Sequence, residues 1–147
     1  MVGLLMFGVG CSGGSDDGTT VLGAVVERSG LGAAVPAGIE GIPVPEGVTP
    51  AVAELSGGRV FDLPNEVSLD DALVWFSGML PEGRAFKSWA WCGKRQDSIG
   101  ATWRWYRTDE PGLDTLTVEV GRDHRTGEGY VLTVIRPDHN PQSCDAG

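Results

Sequence analysis

Four stretches with the length and composition of strands follow one another from Ala85 to Arg136, separated only by turn-forming residues. They are Ala85–Cys92, Ala101–Thr108, Asp114–Gly121 and Gly129–Arg136, with turns at Asp97–Gly100, Glu110-Pro111-Gly112 and Arg125–Gly129. Short turns reverse the chain, so strands joined this way run antiparallel to their neighbours. The third stretch alternates cleanly, with Leu116, Val118 and Val120 to one side and Thr115, Thr117 and Glu119 to the other. In the second, Ala101, Trp103 and Trp105 share one face, opposite Thr102, Arg104 and Tyr106.

Upstream, Ala51–Leu55 and Arg59–Leu63 read as a hairpin around Ser56-Gly57-Gly58. A helix opens at Ser68, whose hydroxyl can cap it, and Asp70 and Asp71 suit its positive end. Leu69, Ala72, Leu73, Phe76 and Leu80 form one apolar stripe at helical spacing, and Pro81 and Gly83 stop it. One helix packed on one sheet gives an α+β two-layer domain, with an antiparallel meander of about four to six strands.

The first part of the chain has a different character. Met1 to Gly10 is uncharged with an apolar middle, and Cys11 is followed by Ser12-Gly13-Gly14-Ser15-Asp16-Asp17-Gly18. Met1–Val9 is too short to span a bilayer, which takes about 20 apolar residues. Residues 12–20 have tether composition. Ser29–Gly38 is rich in glycine and alanine, and Ile42-Pro43-Val44-Pro45 reads as extended chain leading into the domain near Gly38.

A short apolar run, small residues, a cysteine and a polar tether together resemble a bacterial lipoprotein signal. Val9 and Gly10 before Cys11 match that pattern, while Gly8 stands where it has leucine and no Lys or Arg precedes Cys11. The resemblance implies cleavage after residue 10 and an acyl anchor such as palmitate on Cys11. The organisation that follows is a signal peptide over 1–10, a lipidated, flexible tether over 11–37 and a single domain over 38–147. The folded region is also similar to small exported actinobacterial lipoprotein domains of unknown function. Gly41–Gly47, Ser68–Phe76 and Met79–Gly83 carry that likeness, which implies a fold class and a cell-surface setting but no catalytic residue.

Cysteine count agrees with export. With Cys11 given to lipid, Cys92 and Cys144 remain as an even pair, which an oxidising compartment joins. A bridge closing so long a loop contributes about 3–4 kcal/mol by restricting the unfolded chain. The alternative is two buried free thiols. No Cys-x-x-Cys occurs, which argues against redox and zinc-ribbon roles.

The formal charge of −9 argues against a nucleic-acid partner, since phosphates attract cations. The charge is unevenly placed. Residues 84–107 hold six bases and one acid, between a segment with eleven acids and two bases and another with eight acids and three bases. Such a basic stretch is either a binding patch or a set of ion-pair partners within the fold.

Signals for catalysis are sparse. His124 and His139 sit in predicted turns, where solvated residues are the ordinary reading; with Asp123 and Asp138 they have the chemistry of a cation site only if the fold brings them together. No Gly-x-Ser-x-Gly elbow between a strand and a helix and no His-Glu-x-x-His pair occurs. Gly30-Leu31-Gly32-Ala33-Ala34-Val35 has dinucleotide-loop glycines, but Pro36 and Gly38 interrupt the helix such a loop must open. No enzyme activity, cofactor or metal is expected.

Four of the five tryptophans, Trp89, Trp91, Trp103 and Trp105, fall on two consecutive strands among Lys87, Arg104 and Arg107. They read as core, because tryptophan is large and mostly buried. The functional reading is an exposed face of Trp89, Trp91, Arg104 and Tyr106 for cell-wall glycan or anionic lipid headgroups. The expectation is a membrane-anchored envelope lipoprotein with a non-catalytic binding or assembly role, partnered by the membrane and by an envelope protein or wall polymer.

Overall fold

The structure is a computed structural model that describes Glu27, residues 30–52, 55–107 and 114–137, and Cys144. Its strands are β1 (Ala34–Val35), β2 (Val44–Pro45), β3 (Thr49–Pro50), β4 (Gly58–Asp62), β5 (Trp89–Asp97), β6 (Gly100–Arg107), β7 (Asp114–Arg122) and β8 (Gly129–Pro137). One helix, α1 (Leu69–Met79), lies between β4 and β5. The fold is α+β. Six strands form an antiparallel sheet in the order β3-β4-β8-β7-β6-β5, and β1 and β2 form a small sheet of their own.

The helix begins as its sequence dictates. Ser68 Oγ accepts a hydrogen bond from the Asp71 amide at 3.0 Å, and Asp70 and Asp71 occupy the first turn. It ends because Pro81 forces Leu80 into extended conformation, while the Leu80 amide still donates to the Phe76 carbonyl at 2.8 Å. Ala72, Leu73, Trp75 and Phe76 are buried, and α1 lies across β6 and β7. On that side of the sheet sit Ala101, Trp103, Trp105, Leu116, Val118, Val120 and Val131, all buried and in cross-strand register. The alternation of β6 and β7 therefore sorts their residues as their sequence implies.

Ordered packing reaches further toward the N-terminus than Gly38: Leu31 is buried, β1 pairs with β2, and Trp75 Nε1 donates to the Gly32 carbonyl at 3.2 Å. Residues 30–48 cover the sheet beside α1, where the Ile39 amide donates to Thr133 Oγ1 at 3.0 Å. The small residues that look like tether composition are what allow this packing. A Cβ at position 32 would stand 2.8 Å from the Glu46 Cβ, so only glycine lets the two backbones approach so closely. The rest of the expected signal and tether, apart from Glu27, lies outside the described residues.

The strand expected from Ala85 starts at Trp89. Phe86 and Trp89 exchange two backbone hydrogen bonds of 2.9 Å around Lys87-Ser88, and Lys87 takes a left-handed φ of 52° to close the turn. The strand then runs on to Asp97 and meets β6 through a two-residue turn. The first hairpin also shifts: β4 pairs with Thr49 and Pro50, with Ala51 adding one bond to Val60, and Leu55 makes only an isolated bridge to Gly58.

Candidate functional site

The tryptophans form core. Trp89, Trp103 and Trp105 are fully buried and Trp91 is half-buried, its ring 5.2 Å from Trp105 in an edge-on contact. Two of the indole N–H groups find partners in the segment after α1: Trp103 Nε1 donates to Glu82 at 2.9 Å and Trp105 Nε1 to the Arg84 carbonyl at 3.1 Å. Lys94 completes a latch between α1 and β5. Its ammonium lies 5.2 Å from the Trp103 ring centre and donates to Ser77 at 2.9 Å and Glu82 at 3.3 Å.

The four residues of the expected ligand face do not share a surface. Trp89 and Trp91 pair with Arg107 and Trp105, and so lie on the helix side of the sheet. Arg104 is exposed and Tyr106 half-buried on the opposite side. Strand parity separates them, because Arg104 and Tyr106 alternate with Trp103 and Trp105.

The sheet face away from the helix carries most of the polar chemistry. Register aligns its side chains in rows, among them Arg95–Thr102–Glu119–Leu132–Val60 and Gly93–Arg104–Thr117–Val134–Gly58. Arg95 stands on this face because of a β-bulge between Trp91 and Gly93. The extra residue reverses the parity of β5, sending Lys94 to the helix side and Arg95 to the open side.

A hollow of about 290 Å³ opens on this face, lined among others by Arg95, Asp97, Thr102, Arg104, Glu119 and Tyr130. Gly100 and Gly121 pair directly across β6 and β7. A Cβ on Gly121 would come within 3.1 Å of the Tyr130 hydroxyl, and its absence makes room for the ring. The Tyr130 hydroxyl donates to Glu119. Burial, then this hydrogen bond and the Glu119 charge, push the Tyr130 pKa well above the usual phenol range, so the hydroxyl keeps its proton at neutral pH. Neither the Arg95 nor the Arg104 guanidinium has a hydrogen-bond or ion-pair partner among the described residues. Of this set the expected ligand face contained only Arg104. Thr102 and Glu119 were already on the polar side by alternation, whereas Arg95 was hidden by the bulge.

Cys92 and Cys144 stand at disulfide distance, their Cα atoms 4.6 Å apart and 52 residues apart in sequence. Cys11 and His139 lie outside the described residues. His124 is exposed in its turn. There Asp123 accepts hydrogen bonds from the amides of Arg125 at 2.6 Å and Thr126 at 3.2 Å, which hold its carboxyl below the usual range. No group of three or more metal-ligating side chains converges among the described residues, and no helix among them is long and apolar enough to cross a membrane.

Comparison with known protein families, with curated proteins and with solved structures finds no match.

Proposed function

We propose that this chain is a lipid-anchored protein of the cell envelope whose folded domain has a non-catalytic binding or assembly role. The observation that carries the reading is the proximity of Cys92 and Cys144. Two cysteines so placed bond in an oxidising compartment, which leaves Cys11 as the single odd thiol, in a setting that resembles a lipidation site. The acyl chain on Cys11 holds the protein at the extracytoplasmic face of the membrane.

Replacing Cys11 with serine tests the anchor. In a host that processes lipoproteins, the parent chain is expected in the membrane fraction and Cys11→Ser outside it. Sedimentation of both with membranes would reject the anchor.

A second reading, a binding module for cell-wall glycan, is favoured by one feature: the hollow that holds Arg95 and Arg104 together on the open face.

A further inference from the structure

We propose that the open face of the sheet binds an acidic saccharide unit in the hollow between Tyr130 and the Arg95–Arg104 pair. This names a ligand class for the binding role above and rests on that role, but not on the anchor.

The argument starts with charge. The chain carries −9 overall, and the hollow is lined by two arginines and two carboxylates: Asp97 already accepts from the Ile99 amide and Glu119 from Tyr130, while neither arginine has a partner among the described residues. Arg95 and Arg104 are diagonal neighbours across β5 and β6, since Arg95 pairs with Thr102 and Gly93 with Arg104. Diagonal Cβ atoms lie roughly 7–8 Å apart, within reach of two long side chains converging on one anion. Guanidinium groups bind carboxylate and phosphate through paired, charge-assisted hydrogen bonds.

The remaining groups select the rest of the ligand. Glu119 stands between the arginine pair and Tyr130 and, accepting from the Tyr130 hydroxyl, offers the hollow a further acceptor rather than room for a second anionic group within it. A sugar ring brings one anionic group together with several hydroxyls. Those hydroxyls donate to Glu119 and exchange hydrogen bonds with Thr102, whose side chain lies on the same row. The Tyr130 ring lies over Gly121 and walls the hollow on that side. At about 290 Å³ the hollow is at the small end for ligand sites, which suits one ring of a polymer.

Trigalacturonate is the probe, with its carboxyl-reduced neutral counterpart as control, measured by calorimetry on the full chain in mild detergent. Trigalacturonate is expected to bind, more weakly as salt rises. The neutral trisaccharide should bind at least about tenfold more weakly, and Arg95→Ala and Arg104→Ala should each cost about tenfold or more. Both side chains lack partners among the described residues, so melting temperatures should match the parent. Arg136→Ala, at the far end of the same face, should change affinity less than twofold. The idea is overturned by an absence of trigalacturonate binding, by equal binding of the neutral sugar, or by affinity indifferent to Arg95 and Arg104. It is equally overturned if phosphatidylglycerol vesicles recruit the Cys11→Ser chain through these arginines while trigalacturonate does not bind. Membrane fractionation of Cys11→Ser reports on the anchor alone, so failure of either proposal is recognisable separately.

Discussion

Trp103→Ala is expected to destabilise the domain by about 3–5 kcal/mol, the range for removing a large buried aromatic side chain. Trp103 is fully buried at the centre of β6, its ring 6.2 Å from Phe76 on α1 and its backbone paired with Val118 and Lys94. Truncation opens a cavity under the helix and also removes the ring that faces Lys94 and the indole N–H bonded to Glu82. Since domains of this size are stable by about 5–15 kcal/mol, such a loss leaves little reserve. Trp103→Phe separates the two effects. It keeps most of the apolar surface and loses the hydrogen bond to Glu82, so it should cost less, about 1–3 kcal/mol. Urea unfolding at matched slopes measures both. A Trp103→Ala variant within about 0.5 kcal/mol of the parent, as for an ordinary surface substitution, would take Trp103 out of the core.

The second large effect concerns the cysteine pair. Replacing Cys92 and Cys144 together by serine should lower stability by about 3–4 kcal/mol, because the unfolded chain regains the freedom of a loop spanning 52 positions. For a domain of this size that corresponds to a melting temperature lower by about 10–20 °C. Treating the parent protein with reductant should bring its melting curve close to that of the double variant and leave the variant's own curve unmoved. A parent that melts identically with and without reductant has no bond to lose. The consequence is more than thermal: Cys92 lies on the edge strand at the bulge that turns Arg95 to the open face, so the tie to Cys144 holds the strand that supplies half of the arginine pair.

The sheet was the most legible part of the chain. Clean alternation in β6 and β7 identified both faces, because a period of two residues with one side buried leaves little freedom of register. The helix was legible through its cap and stop signals, but its apolar stripe omitted Trp75. That residue is buried by a partner far away in sequence, the segment around Leu31, Ile42 and Val44. Small residues conceal such packing: Gly32 contributes by leaving space, and composition cannot distinguish space used for close approach from the slack of a linker. The candidate site was half legible. Parity placed Thr102, Arg104 and Glu119 together, while the one-residue bulge in β5 inverted the reading for everything after it, including Arg95. The grouping of Trp89 and Trp91 with Arg104 and Tyr106 joined residues close in sequence that the pleat sends to opposite sides.

The most direct measurement is the intact mass of the protein extracted from membranes without reductant. The account predicts a chain beginning at Cys11, heavier than the bare polypeptide by its acyl groups and lighter by the two hydrogens lost in joining Cys92 to Cys144. Recovery of a species that keeps residues 1–10, carries no fatty acid and holds three free thiols would contradict it.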